Sequence, residues 1–231
     1  MTEKPAPARR RSRWITIPLR IVVGFVLLSL VIVTLYRFVP PPVTLTMLMD
    51  PNGITKDWRS LDAIDPDMAR AAIAAEDSRF CEHHGFDAVA IARAMRHNAS
   101  GGRVQGGSTI SQQTAKNVFL IQGGGFVRKG FEAWFTLLIE AIWGKRRIME
   151  VYLNVAETGI GTYGVQAGAI RYFRHGAGKL TRSEAARIAA VLPLPKKRAA
   201  IAPGGFTRRY GNSIAARIGV VQRDGLDRCL K

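Results

Sequence analysis

Between Glu76 and Asn117 the chain gathers an acidic pair, two adjacent histidines, a glycine-broken turn and a segment rich in glutamine and lysine. The first block reads Glu76-Asp77-Ser78-Arg79-Phe80-Cys81-Glu82-His83-His84-Gly85-Phe86-Asp87, and the second Gly106-Gly107-Ser108-Thr109-Ile110-Ser111-Gln112-Gln113-Thr114-Ala115-Lys116-Asn117. That density of polar groups does not suit a core. Glu76 and Asp77 follow an alanine-rich apolar stretch, which puts one of them where a helix enters a cleft. A partly desolvated glutamate holds its proton more tightly, which suits a general base near neutral pH. Taken alone, the pair would read as a solvated helix end. In the second block Gln112 and Lys116 share one helix face and Gln113 and Asn117 the neighbouring one, so this short helix needs water or a ligand to face. With Gly106-Gly107 ahead of it, the helix also offers free N–H groups and a positive dipole end to an anion.

Arg128, Glu132, Thr136 and Glu140 recur at four-residue intervals beside the apolar Phe131, Trp134, Phe135, Leu138 and Ile142. Arg128 lies one turn before Glu132 and can hold it ionised, although by itself the row reads as surface salt bridges. His83 and His84 lack the HExxH spacing of helix-borne zinc ligands and have no evident third ligand, so a structural role is expected for both. The run Lys196-Lys197-Arg198, followed by Arg208-Arg209, has no interleaved aromatic platforms. It reads as a surface for phosphate or lipid headgroups rather than a nucleic-acid groove.

The elements that must position these groups read as helices, and the expected class is all-α. No run of alternating β-branched residues is long enough for a sheet. Asp65-Pro66 starts a helix that delivers Glu76 at its C-terminal end. Asp87 caps a second helix through His97, and Thr109 with Gln112 forms a capping box for a third, to about Leu120. Gln122-Gly123-Gly124-Gly125 breaks the chain before a long helix from Val127 to Trp143. Lys145 to Leu153 makes another, Thr181 with Glu184 caps a helix ended by Pro193, and Tyr210 to about Leu226 closes the chain.

The 231 residues carry a net charge of +17, which asks for an anionic partner: nucleic acid, anionic lipid or a phosphorylated substrate. Residues 1–16 form a basic tail, and 17–39 are almost wholly apolar, long enough for one transmembrane helix. The apolar run ends in Tyr36-Arg37-Phe38-Val39 and three prolines rather than a cleavage site, so an uncleaved anchor is expected. The arginines ahead of it place the N-terminus in the cytoplasm. Residues 40–60, opening with Pro40-Pro41-Pro42, read as a stiff spacer that stands the domain off from the bilayer. Residues 61–231 then form one soluble domain, with no room for a second catalytic one. The only two cysteines, Cys81 and Cys229, are too few for a disulfide scaffold and read as two unrelated thiols, with a single bridge in an oxidising compartment as the alternative.

Taken together, the blocks resemble the peptidoglycan glycosyltransferases of glycosyltransferase family 51, whose lysozyme-like domain polymerises lipid II. The family's E-D-x-x-F-x-x-H-x-G-x-D block stands at Glu76 to Asp87, with Phe80, His83 and Gly85 in place. Its G-G-S-T-I-x-Q-Q-x-x-K-N block stands at Gly106 to Asn117, its R-K-x-x-E block at Arg128 to Glu132, and its K-x-x-I-x-E-x-Y-L-N block at Lys145 to Asn154, with Glu150 and Asn154. A fifth block matches Glu184 to Pro195. Five blocks in order, over most of residues 60–205, go far beyond any single pattern.

The resemblance implies a form with a single anchor and no transpeptidase domain, in a bacterial inner membrane with its catalytic domain periplasmic. It implies Glu76 as the base that deprotonates the GlcNAc 4-hydroxyl of lipid II while that oxygen attacks C1 of the lipid-linked MurNAc, with inversion and release of undecaprenyl pyrophosphate. A base on the acceptor and charge relief on the leaving group are what such a transfer needs. It implies Glu132 as the second catalytic glutamate, handling the pyrophosphate directly or through a divalent cation, magnesium or manganese, with no organic cofactor. Ser108, Thr109, Gln112, Gln113, Lys116, Asn117, Arg128 and Lys129 are the substrate-binding candidates. Asp77, Phe80, His83, Gly85, Glu150 and Asn154 are expected to be structural.

The family usually has an arginine eight residues before the second glutamate; here that position is Gly124. Arg103 or Lys129 could substitute, or the loop is looser. The loop Val118 to Val127, with Phe119, Leu120, Ile121 and Phe126 around three glycines, suits dipping into the membrane interface. Lipid II, the lipid-linked growing strand and the membrane are the implied partners, with division or elongation proteins as a further class and no nucleic acid. A lytic muramidase shares the glutamate but leaves the glutamine and lysine helix unexplained, and a non-enzymatic anionic-lipid scaffold predicts that Glu76→Gln changes nothing.

Overall fold

The computed structural model describes residues 11–101 and 106–231, with side chains from residue 16 onward. Residues 1–10 of the basic tail thus fall outside the described residues, as does Arg103, while its residues 11–16 are already helical. Ten α-helices lie among the described residues: α1 Arg11–Phe38, α2 Leu45–Leu48, α3 Pro66–Glu76, α4 Ala88–Ala99, α5 Ile110–Phe119, α6 Gly125–Ile142, α7 Gly144–Val155, α8 Val165–Phe173, α9 Arg182–Val191 and α10 Gly205–Arg223. The helical class is as the sequence reads, but a three-stranded sheet is added. β1 Thr55–Lys56 pairs parallel with β3 Thr162–Tyr163, and β3 pairs antiparallel with β2 Glu157–Gly159. Strands of two or three residues are too short to leave an alternating pattern, and the four-residue α2 escaped for the same reason, while the nine-residue α8 is also new.

Helix ends follow the local chemistry. Asp65 caps α3 by accepting from the Asp67 N–H, with Pro66 at the first helical position. Thr109 and Gln112, and Thr181 and Glu184, form complete reciprocal capping boxes on α5 and α9. Gly123, Gly124 and Gly125 all have positive φ, so the break before α6 needs glycine at each.

The core gathers two groups of helices. α3, α9 and α10 pack on one another through small buried residues, including Ala71, Ala72, Ala186 and Ala190, which let the backbones approach closely. α5 packs against α6 and α7 through Ile110, Ala115, Ile139, Ile148 and Leu153. α3 and α5 thereby bring their polar ends together.

Residues 16–38 of α1 are long and apolar enough to cross a membrane. The prolines do not stand the domain off from this helix. The Trp143 indole donates to the Val33 carbonyl at 2.7 Å, and Arg147 donates to the carbonyls of Tyr36 (2.9 Å) and Val39 (3.0 Å). Further back along α1, Phe25 meets Phe131 edge-on at 5.5 Å between ring centroids. At 1.5 Å per residue, contacts from Phe25 to Phe38 cover about 20 Å of helix. Part of the expected spacer also belongs to the domain, with Met47 of α2 buried and β1 hydrogen-bonded into the sheet.

The two cysteines are not unrelated thiols: Cys81 and Cys229 form a disulfide across 148 residues of sequence, with Cα atoms 5.4 Å apart. α10 and the 3-10 turn Arg228–Leu230 carry the chain end back to the turn that follows Glu76. Arg70, bonded to Asp227 at 2.9 Å, and Arg146, which donates to the Leu230 carbonyl, hold that end in place.

Candidate active site

Glu76 is the last residue of α3, and Asp77 turns away from it. Asp77 is buried. Its Oδ2 accepts from the Ile110 N–H at 3.0 Å, fixing the N-terminus of α5, and its carboxylate accepts from His83 Nε2 at 2.9 Å. The Gly85 N–H donates to His83 Nδ1 at 3.1 Å, so the neutral ring carries its proton on Nε2 and donates it to Asp77. Gly85 has φ +92°, and a Cβ there would stand 2.7 Å from Thr136 Cγ2 of α6. Phe80 is fully buried under the Lys145 ammonium, 4.5 Å from its ring centre. This block is a clasp that sets α3 against α5 and α6 and leaves Glu76 at their junction.

Glu76 is partly buried. Its Oε2 accepts from Gln113 Nε2 at 2.8 Å, while Oε1 is enclosed and has no hydrogen-bond partner among the described residues. Tyr152, fully buried on α7, approaches the Gln113 carbonyl oxygen at 3.5 Å, which turns the amide's NH2 toward Glu76. Burial pushes the Glu76 carboxyl up; the Gln113 hydrogen bond and the charges of Arg198 and Lys116 oppose this, while Asp77 adds to it. A carboxylate with a raised pKa and one unused oxygen is equipped to take a proton.

Glu132 has a different setting. It is 3% exposed, and its Oε2 accepts from Arg128 Nη1 at 2.7 Å while its Oε1 accepts from Lys129. Lys129 also reaches the Ser108 hydroxyl at 3.4 Å. Lys116 lies between the two glutamates, drawn by both; burial pushes its ammonium down, and Arg128 and Lys129 push the same way. The result is a cluster of three cations around one carboxylate, suited to a polyanion such as a pyrophosphate.

Both Glu132 oxygens are already engaged by cations, and among the described residues no group of three His, Cys, Asp or Glu side chains could hold a metal. The residues present therefore do not fit the divalent cation that the resemblance implies, and no step below passes through one.

The other expected donors divide. Gln113, Lys116 and Asn117 line a cleft of about 530 Å³. Thr109 and Gln112, expected to bind substrate, are instead buried and spent on the α5 capping box, with the Thr109 hydroxyl donating to the Gly85 carbonyl at 2.6 Å. Glu150 and Asn154 brace the chain ahead of α3. Glu150 accepts from the Leu61 N–H at 3.0 Å, and Asn154 bonds both the N–H and the carbonyl of Arg59. Gly124 adopts φ +85°, and a Cβ there would meet Arg128 Cβ at 2.9 Å, so the position cannot hold an arginine without rebuilding the turn.

The loop apart from α6 also differs from its expectation. Phe119 is part of α5 and stacks on Phe135 at 4.4 Å, while Phe126 projects 99% exposed from the first turn of α6.

Sequence reasoning missed the far wall of the cleft. There Lys196 binds Asp50 at 2.9 Å, and Asp50 accepts from the Tyr163 hydroxyl at 2.7 Å. The Asn52 N–H, Lys196 and Tyr163 together hold the Asp50 carboxyl well below the usual range. The Lys196-Lys197-Arg198 run is therefore not a uniform anionic-ligand surface: Lys196 is an internal staple, and Arg198 donates to the Ala190 carbonyl. Partners more than 100 residues away carry no sequence signal. Tyr152 could have been found, since it stands inside the fourth block.

A family model described as transglycosylase matches residues 44–217. A protein of Caulobacter vibrioides named biosynthetic peptidoglycan transglycosylase is 53% identical over 203 residues, covering 87% of this chain and 89% of its own. Proteins of the same name from Rhodospirillum centenum (46% over 214 residues, covering 91% and 93%) and Pseudomonas aeruginosa (48% over 194, covering 80% and 84%) are also similar. With a matched model over three quarters of its length and relatives at 46–53% identity over 80–91% of it, the chain belongs to the transglycosylase family.

Proposed function

We propose that this chain polymerises lipid II into the glycan strands of peptidoglycan, with Glu76 as the general base. The observation that carries this reading is a partly buried, base-like carboxylate bonded to Gln113 of the cleft, with Lys116 of the same cleft drawn both to it and to the cation-paired Glu132. The acceptor's GlcNAc 4-hydroxyl gives its proton to Glu76 as its oxygen forms a bond to C1 of the lipid-linked MurNAc. The bond from C1 to the pyrophosphate breaks on the opposite face, so the centre inverts and undecaprenyl pyrophosphate leaves. Lys116, Arg128 and Lys129 balance the charge that develops on the departing oxygens. Glu132 holds Arg128 and Lys129 in place and limits their net charge, which lets the product go. Gln113 orients the base, and Ser108 and Asn117 are left as hydrogen-bonding groups for substrate.

The anchor reading places α1 in the cytoplasmic membrane with its N-terminus inside and the catalytic domain on the periplasmic side. The disulfide supports that orientation, because disulfides persist in oxidising compartments. The sequence-derived partners, lipid II and the growing lipid-linked strand, follow from this placement.

The test is polymerisation of purified lipid II by the detergent-solubilised protein beside Glu76→Gln. Strands from wild type and a loss of at least about 10³-fold in the mutant are expected. A folded wild type that makes no polymer sinks the reading.

A further inference from the structure

We propose that Arg198 is a positioning residue of this site: a cation clamped on the rings of Phe206 and Tyr210, the second of which is bonded to the turn of α3 that ends in Glu76, so that its charge holds the base ready to accept a proton. The inference rests on the assignment of Glu76 as that base.

The loop after α9 is built to present this residue. Its turns close through Leu194 N–H to the Val191 carbonyl at 2.9 Å, and through the N–H groups of Lys197 and Arg198 to the Leu194 carbonyl, both at 3.0 Å. Lys196 pins the same loop to Asp50. An arginine on a surface loop would ordinarily sample many rotamers. Here its Nη1 donates to the Ala190 carbonyl at 2.7 Å, and its guanidinium carbon lies 5.1 Å from the Phe206 ring centre and 5.7 Å from that of Tyr210. Those two rings stack on each other at 5.6 Å. A planar guanidinium over an aromatic pair is a well-fixed charge.

Tyr210 connects that charge to the base. Its hydroxyl donates to the carbonyl of Ala75, the residue before Glu76, at 3.0 Å. One ring therefore fixes both the last turn of α3 and the guanidinium.

The charges around Glu76 explain why the site needs it. Asp77 on α3 is a like charge; Gln113 on α5, Tyr152 on α7 and Tyr210 on α10 are neutral groups; Lys116 on α5 and Arg198 are the two opposing cations. Lys116 is shared with Glu132 and stands where a pyrophosphate would bind. When that anion is present, much of the Lys116 charge is directed to it. Arg198 is held instead by the Ala190 carbonyl and the two rings, so its effect on Glu76 persists through turnover.

The experiment is the pH dependence of kcat/KM for lipid II polymerisation by the full-length enzyme, for wild type, Arg198→Lys, Arg198→Gln and Arg198→Met, with thermal unfolding of each. Methionine keeps an apolar stem on the rings, so at least one neutral variant remains folded. In the neutral variants the acid limb is expected to move up by about half to one pH unit, roughly a three- to tenfold loss below the limb with recovery above it. Arg198→Lys is expected to retain most of the wild-type profile. An acid limb that stays in place in folded Gln and Met variants overturns the proposal, whether the rate falls uniformly or not at all. Full polymerisation by Glu76→Gln would instead overturn the underlying assignment of the base, a separate outcome.

Discussion

Two glutamates stand on either side of Lys116 in opposite surroundings. Glu76 ends an alanine-lined helix, has a neutral amide as its one hydrogen-bond donor and leaves an oxygen enclosed and unpartnered. Glu132 sits mid-helix and is buried, with a cation on each oxygen. The same side chain is a proton acceptor in the first setting and an organiser of positive charge in the second. The partner decides the role: the more deeply buried glutamate is the one whose charge is compensated. Sites that need two carboxyls in different roles separate them in this way.

That contrast is broken most directly by neutralising each in turn. Glu76→Gln removes the base, with the polymerisation loss stated above, yet it also removes a carboxyl whose pKa is raised on folding. Such a group weakens the fold progressively as the pH rises above its unfolded pKa, and fully once the pH passes its raised folded one. The mutant should therefore unfold higher than wild type at pH 8, by roughly 2–4 °C for each 1 kcal/mol in a domain this long, with the gain vanishing below the pH where an unfolded glutamate titrates. Glu132→Gln should behave oppositely. It leaves Arg128 and Lys129 without their shared partner and lowers stability by about 1–2 kcal/mol, a modest figure because both cations keep access to water. Its polymerisation rate should fall by about 10²-fold. Thermal unfolding of both mutants at pH 8 decides the matter, and shifts of the same sign would show that the two environments are not distinct.

The disulfide sharpens the comparison from the other side, because it is bonded into the turn after Glu76 and lies away from α6. Cys81→Ser with Cys229→Ser should cost about 2–5 kcal/mol, since the bond closes a long loop in the unfolded chain. Reduction of wild type by dithiothreitol should lower its unfolding temperature as well, while leaving the double mutant unchanged. A dithiothreitol effect of equal size in the double mutant would mean that the bond contributes nothing.

Legibility followed chain distance. The helices, the two capping boxes and the break before α6 could be read because a period of 3.6, a Thr with Gln or Glu three residues on, and three successive glycines are all local signals. Glu76, Gln113, Lys116, Arg128 and Lys129 stand in recognisable blocks, and the structure connects them: Gln113 and Lys116 line the cleft, Glu76 is bonded to Gln113, and Arg128 and Lys129 pair with Glu132, whose charge reaches Lys116. Thr109 and Gln112 show the limit of a face argument: their spacing suits a ligand-facing row, but the same spacing serves a helix cap, and burial decides between the two. The disulfide, the Lys196–Asp50 staple and the Arg198 clamp join residues 148, 146 and 8 apart or meet rings presented by another helix, and none of that geometry is encoded in neighbours. Pro40-Pro41-Pro42 carries a related lesson. The stiffness of a linker says nothing of whether the helices on either side of it will pack.

The smallest expected effect concerns where each glutamate's wall leads. Glu76 backs onto α9 and α10, whereas Glu132 belongs to α6, which lies along α1 and ends in a fully exposed Phe126 and a largely exposed Val127. If α1 spans the bilayer, the contacts between Phe25 and α6 carry the Glu132 wall down to the lipid, and the leaving pyrophosphate would depart next to the membrane that holds its polyprenyl chain. Phe126→Trp in the full chain, reconstituted in liposomes, tests this. Its added fluorescence over the background of four tryptophans should be quenched by lipids brominated near the headgroup end of the acyl chain, with polymerisation within about twofold of wild type, since one aromatic replaces another at an interface. Added emission that resists the brominated lipid would leave Phe126 in water, and the two walls would then differ in charge alone, with no division between one facing the strand and one facing the lipid.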